Sequence, residues 1–158
     1  MIPRMGSKSS GARKRPPATK RTKPLPVPRA ILLCERVIQD ALSGTISLIC
    51  VLTRFNLTQF PGDLPGFSIF VQLVGGIVGH EYAFTVEIID QAMVIARMPP
   101  MVLRFSYRGQ VQDIIIRVPP VRLAHAGVYE VVVLVDGNEV AHQTFDTPQE
   151  AQHDAGSR

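Results

Sequence analysis

The stretch Gly127–Asp146, GVYEVVVLVDGNEVAHQTFD, has the pattern of two strands folded back on each other. Tyr129, Val131, Val133 and Val135 share one face at a period of two, and Val140, Ala141 and Phe145 resume an apolar pattern after Asp136-Gly137-Asn138. Asp-Gly between β-branched runs is a hairpin signal, because glycine accepts the positive φ that a tight turn needs. This decides architecture and says little about chemistry.

The same grammar runs backward through the chain. Val111 to Val118 alternates with Ile114, Ile116 and Val118 on one face, and Pro119-Pro120 ends it. Met93 to Met98 and Met101 to Tyr107 are short strands separated by Pro99-Pro100, since proline cannot donate to a ladder. Glu81 to Asp90 has the cleanest alternation, with Tyr82, Phe84, Val86 and Ile88 inward. Gly66 to Val74 turns Phe67, Ile69, Val71 and Leu73 inward. Phe55 to Pro65 is expected as a loop, and Val121 to Ala126 as a connection. Ala30 to Arg54 is expected as a hairpin turning at Ser43-Gly44; the alternative for its first half is a helix carrying Leu33, Val37 and Leu42.

About eight short strands with Gly and Pro punctuation predict an all-β, antiparallel immunoglobulin-like β-sandwich. Tyr129, two residues after Gly127 at the start of the penultimate strand, is placed like a tyrosine corner, with its ring inside and its hydroxyl on nearby backbone.

The net charge of +4 conceals a division. Residues 1–28 hold eight lysines and arginines and no acid; the remainder holds nine arginines against thirteen acids. The first segment is rich in proline and poor in apolar residues, so it is expected as a disordered basic tail, with Pro24 to Pro28 as a semi-rigid spacer. The sandwich domain is drawn at 29–147 and a frayed end at 148–158. Arg13, Lys14, Arg15, Lys20, Arg21 and Lys23 are the candidate polyanion-binding residues, a tether for nucleic acid spaced like the start of a bipartite nuclear import signal. The competing reading is a solubilising extension or an upstream start. No aromatic residue is present there to stack on a base.

No apolar run reaches the roughly 18 residues of a membrane span, and no secretory leader is evident, so a cytoplasmic protein without membrane attachment is expected. Cys34 and Cys50 are expected as reduced, mostly buried thiols at similar levels of one hairpin, with a cross-strand thiol pair as the alternative.

The order CERVIQDALSGTISLI (34–49), FPGDLPGFSIFVQLVGG (60–76), EYAFTVEIID (81–90) and HAGVYEVVVLVDGNEVAHQTF (125–145) resembles a family of small bacterial proteins known only as a domain of unknown function. The resemblance spans about residues 31–147. It implies a bacterial β-sandwich without an assigned activity, and it carries over no catalytic residues.

Chemistry-bearing patterns are sparse. His80, His125, His142 and His153 form no zinc spacing, and Gly75-Gly76-Ile77-Val78-Gly79 lacks the lysine and following helix of a phosphate loop. The turn aspartates Asp63, Asp90, Asp136 and Asp146 lack calcium-loop spacing, and each has a local capping role available. No serine sits in a nucleophile elbow. The expectation is no cofactor, no metal and no enzyme. Arg97, Arg104, Arg108, Arg117 and Arg122 would form a patch if their strands were neighbours; the plainer reading is solvated positions paired with Glu87, Asp90 or Asp113. The leading functional expectation is a non-catalytic binding or scaffold module that meets a protein partner through loops or a sheet edge such as Met101–Tyr107. A nucleic-acid-associated protein is the alternative. A small-ligand or carbohydrate-binding sandwich ranks third; the absence of tryptophan argues against sugar stacking.

Overall fold

The computed structural model describes residues 23–149. It is all-β, with strands β1 (Val27–Gln39), β2 (Ile46–Val51), β3 (Gly62–Leu64), β4 (Phe67–Val74), β5 (Glu81–Asp90), β6 (Met93–Arg97), β7 (Met101–Arg104), β8 (Val111–Val118), β9 (Val121–Leu123), β10 (Gly127–Val135) and β11 (Asn138–Thr147). One sheet has the order β2-β1-β4-β8; the other has β11-β10-β5-β6, with β7 also on β5. All strand pairs are antiparallel.

Alternation explains the layers. Ile69, Val71 and Leu73 of β4 meet Val86 and Ile88 of β5 and Val131 and Val133 of β10 in one core, because period-two residues of each sheet face the other sheet. The hairpin reads as expected: Asp136 and Gly137 take φ 49 and 77, and Tyr129 pairs with Phe145. At one end the rings of Phe55, Phe67, Tyr129 and Phe145 pack together, with Tyr129 stacked on Phe145 at 5.6 Å between centroids.

The strand count rises from about eight to eleven, chiefly through two short elements. The expected loop 55–65 contains β3, and the expected connection after Pro120 contains β9; these pair as a ribbon, Asp63 opposite Arg122. Leu64 and Leu123 on it are fully buried, so the ribbon closes one end of the core. Each strand is three residues long, too short to display a period.

The edge drawn at residue 29 also moves. β1 begins at Val27, and Leu25 packs on the core. Lys23 Nζ donates to Asp136 Oδ2 at 2.8 Å and to the Glu81 carbonyl at 3.0 Å, and lies 3.8 Å from the Tyr82 ring centroid. The Tyr82 hydroxyl donates to the Pro24 carbonyl at 3.2 Å and accepts from the Ile77 amide at 2.9 Å. Residues 23–28 are therefore part of the sandwich rather than a spacer. A chain shortened to begin at Arg29 is expected to melt below one beginning at Lys23; equal melting temperatures would refute this strap.

Gly76 lies against the face of Phe105, so that an added Cβ would overlap the ring. Phe105 is buried edge-on to Tyr82 and has nowhere to retreat. Gly76→Ala is expected to destabilise by about 1–3 kcal/mol, the usual cost of overpacking, measurable by urea denaturation.

Candidate functional site

The distal part of the β1–β2 hairpin projects beyond the pairing with β4, which ends at Cys34. Its turn is built by Asp40, whose Oδ1 accepts from the amides of Leu42 (3.0 Å) and Ser43 (2.6 Å) and from the Ser43 hydroxyl (2.8 Å). These bonds, the Ser43 amide first, hold the Asp40 carboxyl below its ordinary pKa. Gly44 supplies a φ of 70. One side of the hairpin supports Phe70 and Cys34 through Val37, Ile46 and Leu48, which bury a small apolar cluster on the outer face of the four-stranded sheet.

On the other side, Ile38 opposes Ser47 and Arg36 opposes Ile49. Ile38 (46% exposed) and Ile49 (38%) face solvent there, Val51 (54%) is exposed at the end of β2, and Leu42 (98%) crowns the turn.

The two large sheets have four edges among the described residues. β8 carries Asp113 and Arg117. β11 carries Glu139 and Asp146, and its end is covered: the Phe55 amide donates to the Asp146 carbonyl at 2.8 Å, and the Asp146 amide to the Thr53 carbonyl at 3.0 Å. β6 and β7 share one edge, interrupted by Pro99-Pro100 and bearing Arg97 and Arg104. Charge, proline and covering segments are the devices that keep edges from pairing. β2, ISLICV, has no proline and no charge. The expectation of an open edge at Met101–Tyr107 is thus relocated: β7 ends at Arg104, and the unguarded edge is β2.

Both cysteines are free and Cys34 is buried, as expected; Cys50 departs from the expectation. Cys34 is buried, and burial pushes its thiol up; Cys50 is exposed, with a φ of 51, and its thiol is raised by a hydrogen bond and the charge of Glu35. The residue opposite Cys34 is Val51, and both thiols are free, so they form no cross-strand pair.

The arginine patch also dissolves. β6 and β7 flank β5, whereas β8 lies in the other sheet on β4. Arg97 binds Glu87 at 2.6 Å, Arg104 binds Glu81, and Arg122 binds Asp63 at 3.2 Å. Of the candidate polyanion-binding residues, Lys23 is held by Asp136, and Arg13, Lys14, Arg15, Lys20 and Arg21 lie outside the described residues, as does His153.

His142, Tyr129 and His125 are engaged locally. His142 Nδ1 lies 3.0 Å from Glu139 Oε1. The Tyr129 hydroxyl donates to the His125 carbonyl at 2.7 Å, and the His125 ring stacks on Tyr129. His125 Nδ1 is 2.9 Å from the Ala126 carbonyl and Nε2 is 2.9 Å from Asp90 Oδ2. Both ring nitrogens face acceptors, so only the imidazolium satisfies both. The Ala126 carbonyl first, then Asp90, raise the His125 pKa above its ordinary value. A raised folded-state pKa adds stability that is complete below the unfolded value and fades as pH rises through the folded one. Melting temperature is therefore expected to fall as pH rises from slightly acid to slightly alkaline, and to fall less in His125→Gln. An NMR titration placing His125 at or below the ordinary histidine value would refute this.

An apolar cleft of about 220 Å³ opens between Met98, Pro99 and Met101 on one sheet and Ile115–Arg117 on the other. That is smaller than the roughly 300–1,000 Å³ of small-molecule sites, and Arg117 is its one charged lining residue. Among the described residues no three His, Cys, Asp or Glu side chains are grouped to hold a metal ion, and no helix is long and apolar enough to cross a membrane.

Two solved proteins align with part of this chain. The Pseudomonas fluorescens alkylpurine DNA glycosylase AlkC, solved on DNA containing an abasic site analogue, aligns with 61% of this chain and 27% of its own at 15% identity and a TM-score of 0.39. A β-glucosidase from Listeria innocua, solved with isofagomine, aligns with 60% of this chain and 14% of its own at 12% identity and a TM-score of 0.39. The chain thus spans well under a third of either protein. No curated protein matches the sequence. A family model does match, over residues 29–146, and the chain belongs to that family, the family of unknown function DUF6941.

Proposed function

We propose that this protein is a non-catalytic binding module that takes up an extended segment of a protein partner as an added strand along β2. The observation that carries the reading is the composition of that edge: six residues without charge or proline, among them exposed Ile49 and Val51, with exposed Ile38 on the neighbouring β1. An added strand gains ladder hydrogen bonds from an unpaired edge and side-chain contacts from the apolar positions flanking it. The commitments of His125 and Tyr129 to local partners support a non-catalytic role, since neither is left free to move a proton to a substrate. Two free thiols suit a reducing compartment, in keeping with a cytoplasmic module.

The test is selection of displayed peptides on the full chain, followed by titration of the winners into wild type and Ile49→Lys. Extended apolar peptides that shift β2 amides and bind the variant roughly tenfold or more weakly are expected, since a charge on an edge opposes strand addition. Peptides that leave β2 amides unmoved and bind both proteins equally would overturn the reading.

A further inference from the structure

We infer that the groove between β1 and β11 is a binding site for a small monocarboxylate with an apolar body. The site is separate from the β2 edge and does not depend on it.

The groove lies between two irregularities in the strand ladders. β1 pairs Pro28 with Leu73 and Ala30 with Gln72, so Arg29 is an extra residue. β11 pairs Ala141 with Val133 and Glu139 with Leu134, so Val140 is an extra residue. A bulge bends its strand and re-aims a side chain, and bulges gather beside functional sites. These two border one groove of about 380 Å³, lined by residues 28–31 of β1 and 140–142 of β11. That volume falls within the roughly 300–1,000 Å³ of small-molecule sites.

The floor is apolar, since Ile31, Val140 and Ala141 are half-buried and pack on the main core. The walls carry main-chain donors. The Leu33 carbonyl accepts from the Leu52 amide at 2.7 Å, on the side of β1 away from β4. Backbone groups alternate along a strand, so Ile31 turns its amide and carbonyl the same way, beyond the reach of β2. On β11 the Asp146 amide and carbonyl bond Thr53 and Phe55, on the side away from β10. The same alternation turns the His142 amide toward the groove.

Arg29 supplies the charge. Among the described residues it makes no ion pair, whereas Glu139 is engaged by His142. A carboxylate head would take the guanidinium and a main-chain amide, bonds stronger than those to a neutral head. Its apolar body would cover Ile31, Val140 and Ala141.

The groove is bounded at both ends. At one, Lys23 ties the chain entering β1 to Asp136 in the turn before β11. At the other, residues 53–55 cross from β2 to Asp146. An extended peptide would have to run past both, so a short ligand fits the space better.

The experiment titrates hexanoate into the full chain and follows backbone amides by NMR, with hexanamide as the uncharged counterpart. Saturable shifts at Ile31, Ala141 and His142 are expected, with dissociation of roughly millimolar order for so small a ligand. Hexanamide should bind roughly tenfold more weakly, and Arg29→Gln should weaken hexanoate by a similar factor, because each change removes a hydrogen bond between charged groups. Ile49→Lys, which blocks the β2 edge, should leave hexanoate binding unchanged, so the two readings fail separately. N-acetyl-alanyl-leucine carries the same carboxylate on a peptide end. Tighter binding of it than of hexanoate would assign the groove to a peptide C-terminus and overturn the free-acid reading. Shifts that do not saturate, equal binding of hexanamide, indifference to Arg29→Gln, or shifts centred on Met98 and Ile115 would also overturn the inference.

Discussion

Tyr129→Ala is expected to lower unfolding stability by about 3–5 kcal/mol, the range for removing a large buried aromatic side chain. Tyr129 is fully buried, stacked on Phe145 on one side and on His125 on the other. Its hydroxyl donates to the His125 carbonyl at 2.7 Å, which holds the chain turning into β10. Tyr129→Phe keeps the ring and loses that bond, leaving the carbonyl short of a donor, so about 1–2 kcal/mol is expected. Since domains of this size are stable by about 5–15 kcal/mol, the alanine variant should be close to unfolding at physiological temperature. Urea denaturation of the three proteins separates the contributions. If Phe and Ala cost the same, the hydroxyl matters and the ring packing does not, contrary to this account.

Arg97→Ala is expected to cost about 2–3 kcal/mol, which is below the roughly 3–5 kcal/mol for breaking a wholly buried pair because one partner is solvated. The Glu87 side chain is 8% exposed, whereas that of Arg97 is 64% exposed. Removing the arginine leaves a carboxylate in the sheet with little water around it. Arg97 approaches it with two nitrogens, Nη2 at 2.6 Å and Nε at 2.7 Å, so a lysine cannot reproduce the fork. Arg97→Lys should recover only part of the loss. The double replacement Arg97→Leu with Glu87→Leu should be close to wild type, because it removes the stranded charge as well as its partner. A double variant as unstable as Arg97→Ala would show that the carboxylate is not what makes the single change costly.

Strands that are polar on one side and apolar on the other were legible from the sequence, and they are the strands that build the core. β5 and β10 are the clearest cases: Tyr82, Phe84, Val86 and Ile88, and Tyr129, Val131, Val133 and Val135, are all buried as their alternation requires. β4 was harder. Its inward residues were evident, but Phe70 faces outward and is buried too, because the β1–β2 hairpin curls over it. Periodicity describes one strand against one sheet; it holds no information about a second layer of cover. The same limit explains Cys50, whose apolar-looking position lies on an edge that nothing covers among the described residues.

The open edge was only half legible. That ISLICV lacks charge and proline is plain in the sequence, but its importance depends on where the strand lies. In the middle of a sheet such a strand would be unexceptional.

The sequence by itself therefore determined the all-β class, the tight Asp136-Gly137 turn, the inward residues and the hydroxyl contact of Tyr129. Each depends on interactions between residues near in the chain or on a period along one strand. Strand neighbours were decided only in the tertiary structure. That includes β8 joining β4 and scattering the arginines, β3 meeting β9 across the core's end, and Lys23 lying over Tyr82. Alternation is the same whichever strand sits beside it, so partner choice is settled by the packing of the whole core and by the routes its connections can take.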